Sequence, residues 1–112
     1  MDSLKITWVC NKMPTKVSLM RNRQADSFGG WIDWTCEELS KKKYIRLCVL
    51  FPDDLEYEGG DKDFSYYSFH EKNCMARIKS ILKRENPDIV HIWGTEFSHT
   101  NQTAKVCQAL GL

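Results

Sequence analysis

Three short runs of nearly unbroken apolar character constrain this chain more than anything else: Leu4 to Cys10 (LKITWVC), Tyr44 to Phe51 (YIRLCVLF) and Asp88 to Trp93 (DIVHIW). A strand with one wet face alternates polar and apolar residues. A run without that alternation is covered on both faces, as in a parallel sheet between layers of helix. Parallel neighbours cannot be joined by tight hairpins, so the stretches between the runs must carry crossovers.

Those stretches have helical character. From Gly30 to Lys43, Ile32, Cys36 and Leu39 recur at helical spacing, Asp33 lies in the first turn and Lys41, Lys42 and Lys43 lie at the end. The lysine run therefore reads as a helix end in water. A second helix is expected over Glu71 to Glu85, with Cys74, Ile78, Ile81 and Leu82 on one face and Asn86-Pro87 as its stop. A third runs from about Thr100 to Leu110, with Thr103, Val106, Cys107 and Leu110 inward and Gly111 as cap. Phe64 to Phe69 alternates and is aromatic-rich, which suits a strand nearer a sheet edge. Asn11 to Phe28 reads as a long polar connection, and Asp53 to Asp63 as a solvated acidic loop.

The expected fold class is α/β: an open three-layer α/β/α Rossmann-like sheet, mostly parallel, with about four strands and three helices in the order β-α-β-β-α-β-α. A crossover helix should deliver a further parallel strand, yet the sequence stops one residue after Gly111. The expectation is one incomplete domain over residues 1–112, truncated before a fifth strand, whose open edge pairs between chains as a dimer.

With 112 residues, folding buries about 65% of the unfolded surface, enough for one core and not for two domains flanking a cleft. Lys and Arg total 16 against 15 Asp and Glu, a net charge of +1, so no global field argues for nucleic acid. No apolar run approaches the roughly 18 residues of a membrane span, and Met1 to Lys5 lacks the layout of a secretory signal. The expected location is cytoplasmic. Five widely spaced cysteines without a C-x-x-C pair read as buried thiols in a reducing compartment, and no metal-ligand cluster is expected.

In open α/β sheets ligands bind at the carboxyl ends of strands, near the point where strand order reverses. The segment leaving the first strand ends in Ser27-Phe28-Gly29-Gly30-Trp31, a glycine pair opening a helix, where backbone and free N–H groups can approach an anion. The plain alternative is a tight turn. Neither a dinucleotide G-x-G-x-x-G nor a Walker loop occurs. The segment from Pro87 to Thr100 contains His91, read as a core histidine within its strand, and then Glu96 and His99 in a loop after Gly94. The alternative for Glu96 and His99 is helix capping around Ser98 or Thr100. His70 reads as structural or surface.

On Phe28-Gly29-Gly30-Trp31 and residues 87 to 100 (PDIVHIWGTEFSHT), the chain resembles the N-terminal portion of a retaining glycosyltransferase of the GT-B fold, family GT4. The pattern match extends over the whole chain. The resemblance implies the acceptor-side part of a two-domain enzyme that transfers a sugar from a nucleotide-diphosphate sugar to a glycan or lipid-linked acceptor in surface polysaccharide or glycolipid synthesis. It implies Glu96 and His99 as catalytic residues, Gly29 and Gly30 at the donor diphosphate, and Arg21, Arg23 and Trp31 at the acceptor. It further implies no metal and no tightly bound cofactor, with the nucleotide sugar as co-substrate, and peripheral contact of the full enzyme with the inner face of the plasma membrane. The family's acidic pair on a C-terminal-domain helix has no counterpart in these residues, so the chain alone is expected to be inactive.

Two readings from other classes compete. One is a stand-alone nucleotide-binding or flavodoxin-like module, in which Asp53 and Asp54 after the second strand would hold a ribose hydroxyl. The other is an interaction module using Trp31, Trp34, Tyr66 and Tyr67.

Overall fold

The three apolar runs become neighbouring parallel strands in the computed structural model, which describes residues 3–22, 30–72, 74–94 and 98–112. Strand β1 (Leu4–Val9) lies between β2 (Ile45–Pro52) and a later strand formed by Ile89–Ile92, parallel to both. In chain order, helix α1 (Thr15–Met20) and helix α2 (Gly30–Ser40) join β1 to β2, and β3 (Glu58–Gly60) and β4 (Phe64–Phe69) follow. Helix α3 (Met75–Glu85) then leads to β5, the Ile89–Ile92 strand, and α4 (Ser98–Leu110) follows it. The sheet order is β3-β4-β2-β1-β5, parallel throughout except for the antiparallel β3-β4 pair.

Strand alternation divides the interior into two cores. On one face Val9, Leu50 and Phe69 meet Ile78, Ile81 and Leu82 of α3 and Val106 and Cys107 of α4. On the other, Trp8, Val49, Phe51 and Trp93 meet Val17 of α1 and Cys36 of α2. Both faces are buried over the second half of β1, from Thr7, and over β2 from Leu47 to Phe51, which is why these runs do not alternate. Each fully buried aliphatic side chain there contributes about 1.5–3 kcal/mol. All five cysteines are buried thiols. Burial pushes the Cys36 thiol up to about 12 and holds those of Cys10 and Cys48 well above the ordinary range.

The structure departs from the sequence expectations in several places. Four helices form among the described residues, because α1 lies within the stretch read as a polar connection. Its start is served from a distance: the Asp33 carboxylate on α2 accepts the Thr15 backbone N–H at 2.8 Å and the Thr15 hydroxyl at 2.5 Å. The acidic loop after β2 contains β3, so β4 is not at the edge but one strand in. Asn86, in a left-handed conformation at φ 47°, ends α3 as expected. Lys41, Lys42 and Lys43 lie beyond the end of α2 and are exposed.

His91 is the clearest correction. It was expected in the core, but β5 borders the sheet among the described residues, and His91 is exposed, its ring stacked on Trp93 at 4.5 Å. Tyr66 and Tyr67, proposed as interaction aromatics, are buried, whereas Trp34 is 68% exposed. Among the described residues, no helix is long and apolar enough to cross a membrane.

Candidate functional site

All four parallel strands end on the same side of the sheet, so whatever follows each strand gathers along one edge. β1 leads into Cys10 and Asn11, β2 into Asp53 and Asp54, β4 into His70 and Glu71, and β5 into Trp93 and Gly94. A cleft of about 220 Å³ opens there, lined by Pro52, Asp53, Asp54, His70 and Glu71. Backbone pairing sets its walls: the Asp53 N–H donates to the Phe69 carbonyl at 3.0 Å, extending the β2-β4 ladder to the rim.

Each wall is tied to a residue expected at the site. On one side, Tyr57 donates its hydroxyl hydrogen to the Asp53 carboxylate, and the Arg21 guanidinium lies 3.6 Å from the Tyr57 ring centroid. Arg21 follows the last turn of α1, so its position comes from cation–π packing on a tyrosine of the β2-β3 connection. On the other side, His99 in the first turn of α4 sets Nδ1 2.8 Å and 3.0 Å from the two Glu71 carboxylate oxygens. A carboxylate can only accept, so Nδ1 carries the hydrogen. His99 is 1% exposed, lies 5.3 Å from the Phe69 ring, and has its carbonyl capped by the Thr103 hydroxyl at 2.6 Å. The imidazole therefore ties α4 to the turn after β4 as well as standing behind the cleft.

Arg21 and His99 thus come to opposite walls of the cleft through Asp53 and Glu71. Gly30 and Trp31 are the first residues of α2. Arg23, Gly29 and Glu96 lie outside the described residues. His70 is exposed, with Nδ1 accepting the Lys72 N–H at 3.2 Å, in line with a surface role.

Sequence reasoning missed Glu71 and Tyr57. The signal for Glu71 was present: the rule that ligands meet the carboxyl ends of strands applies to every parallel strand, and His70-Glu71 directly follows β4. Tyr57 carries no such signal, since its role depends on how the loop folds back onto Asp53.

The cleft presents carboxylates and the His70 imidazole, groups that accept hydrogen bonds from hydroxyls and can take a proton from one. Among the described residues, no group of three or more His, Cys, Asp or Glu is disposed to hold a metal ion. No family model matches the chain, and no curated protein or solved structure is significantly similar to it.

Proposed function

We propose that the chain is the acceptor-side, Rossmann-like part of a GT-B glycosyltransferase of family GT4, and that the cleft between Asp53 and Glu71 receives a hydroxyl-rich acceptor. The observation that carries the reading is the cleft itself, at the carboxyl edge of the parallel sheet, with Asp54 and Glu71 as acceptors for sugar hydroxyls and His99 held behind Glu71. The strand order supports only the Rossmann-like part of the reading: counted along the chain, the parallel strands run third, second, first, fourth, with the reversal between β1 and β5, whereas the cleft lies at the ends of β2 and β4.

On this reading Glu96 and His99 serve the reaction, Gly29 and Gly30 face the donor diphosphate, and Arg21, Arg23 and Trp31 serve the acceptor. The donor is a nucleotide-diphosphate sugar, and the enzyme works in the cytoplasm at the inner face of the plasma membrane. Transition-state charge is stabilised from both sides of a closed cleft, so these residues alone do not transfer sugar.

The flavodoxin-like reading fits less well, because that order would put the third parallel strand on the other side of β1. Asp53 is also committed to Tyr57 and to the Asp54 N–H at 2.7 Å, which leaves less of it for a ribose. The test is an amide chemical-shift titration of the chain with methyl glycosides and, separately, with nucleotides. Saturable shifts at Asp53, Asp54, His70 and Glu71 with a glycoside, lost in Asp54→Asn, support the reading. Tight binding of a nucleotide by itself, with no response to any glycoside, would favour a stand-alone nucleotide module.

A further inference from the structure

The amino-terminal end of the sheet holds a second polar cavity. Lys5 and Arg46 are direct cross-strand partners in the β1-β2 ladder, and two residues further on Thr7, Cys48 and Ser65 form a row across β1, β2 and β4. Like charges placed opposite one another are destabilising unless something neutralises them. No carboxylate pairs with Lys5, Arg46 or Lys62 among the described residues.

These groups surround a cavity of about 20 Å³, room for one water-sized group, lined by Lys5, Arg46, Lys62, Thr7, Cys48 and Ser65, with Glu85 as its one carboxylate. It opens beside a cleft of about 400 Å³ that shares Arg46, Ser65 and Glu85. The Arg46 Nε–H donates to the Lys62 carbonyl at 2.8 Å, which holds the guanidinium at the mouth.

The nearby carboxylates are already engaged. Glu85 accepts the Ser65 hydroxyl at 2.9 Å, Glu58 pairs with Arg84 at 2.9 Å, and Asp61 accepts the N–H groups of Asp63 and Phe64 at 2.8 and 2.9 Å. Burial keeps the Cys48 thiol protonated, so it brings no negative charge to the wall.

We propose that this cavity is an oxyanion site that takes a phosphate group, one oxygen seated among Thr7, Cys48 and Ser65 and the rest held by Lys5, Arg46 and Lys62. The Thr7 hydroxyl rotates and can donate to the seated oxygen, while the Ser65 hydroxyl keeps its hydrogen on Glu85 and holds that carboxylate aside. The planar guanidinium of Arg46 suits two further oxygens at once. The site lies at the opposite end of the strands from the carboxyl-edge cleft and does not depend on the glycosyltransferase reading.

The test is titration of the full chain with inorganic phosphate at constant ionic strength, read by amide chemical shifts. Saturable shifts are expected at Thr7, Cys48, Lys62 and Ser65, with none at Asp53 or His70. Arg46 and Lys62 are exposed, so Arg46→Gln and Lys62→Gln should leave melting little changed while weakening phosphate binding about tenfold or more, the loss of a charge-assisted contact. Lys42→Gln, an exposed lysine outside the cavity, should have no effect. Absence of saturation, equal shifts with chloride, or equal weakening by Lys42→Gln would overturn the proposal. With binding established, vesicles containing phosphatidic acid identify the source. Co-sedimentation that Arg46→Gln abolishes assigns the phosphate to a lipid headgroup, and its absence assigns it to a soluble ester or the free ion.

Discussion

His99 and Glu71, 28 residues apart in sequence, join through Nδ1 and both carboxylate oxygens, the imidazole 1% exposed and the carboxylate side chain 43% exposed. The pair is asymmetric. Removing Glu71 strands a buried N–H, whereas the carboxylate already reaches solvent. Loss of an acceptor from a buried donor costs about 1–3 kcal/mol. Glu71→Ala should therefore lower stability by about that amount, and Glu71→Gln, which keeps an acceptor oxygen, by less. Urea unfolding measures both, and an unchanged midpoint in Glu71→Ala would show that the pair does not hold α4 to the turn after β4.

The β3-β4 hairpin rests on Gly60, which has φ +105° and whose added Cβ would stand 2.2 Å from the Phe64 carbonyl oxygen. Both the backbone and the space exclude a side chain. Gly111, at φ +75°, has nothing within 4 Å of an added Cβ. Gly60→Ala should cost about 2–3 kcal/mol and Gly111→Ala about 1 kcal/mol, since only the backbone conformation is strained at the second position. Thermal melts of the two variants side by side test the ordering, and equal losses would contradict it.

What the sequence disclosed and what it hid divide along the range of the interactions involved. The apolar runs of β1 and β2 were legible because burial on both faces removes alternation, and α3 because Ile78, Ile81, Leu82 and the Asn86 stop are local signals. Helix α1 was not, since the acceptor for its first turn is Asp33, 18 residues away. His91 misled for a related reason: an edge strand and an internal one can carry the same residues, and only the neighbour across the ladder differs. At the site, His99 was visible as a candidate and Glu71 had a signal of its own in following β4, but their pairing had none, because a contact across 28 residues leaves no spacing to read.

Asp61 makes the turn into β4 pH-sensitive. Hydrogen bonds from the Phe64 and Asp63 backbones hold its carboxyl below its usual range. A carboxyl depressed in the folded state stabilises the fold above its unfolded value and loses that contribution as pH falls through the folded value. Asp61→Ala should thus be less stable than the parent protein at neutral pH, and the gap should narrow in acid. Urea midpoints of both proteins across the acid range provide the check, and a gap independent of pH would assign the effect to turn geometry alone.

At high pH the buried thiols make stability depend on pH. Cys10, Cys36 and Cys48 are all raised, first by desolvation, with Cys36 moved from 9.0 to about 12. Well below pH 9 the thiols are protonated in folded and unfolded chains alike, and their contribution to stability does not change with pH. Above that, the unfolded chain releases protons that the folded chain keeps, so stability falls with rising pH until the folded thiols ionise. Each thiol contributes a slope of at most about 1.4 kcal/mol per pH unit. Cys36→Ala should lower stability at neutral pH by opening a small void, yet flatten the alkaline decline, because one of the protons retained by the fold is gone. Urea unfolding followed from neutral pH upward separates the two effects. An alkaline slope identical in the variant and the parent protein would mean that groups other than Cys36 set it.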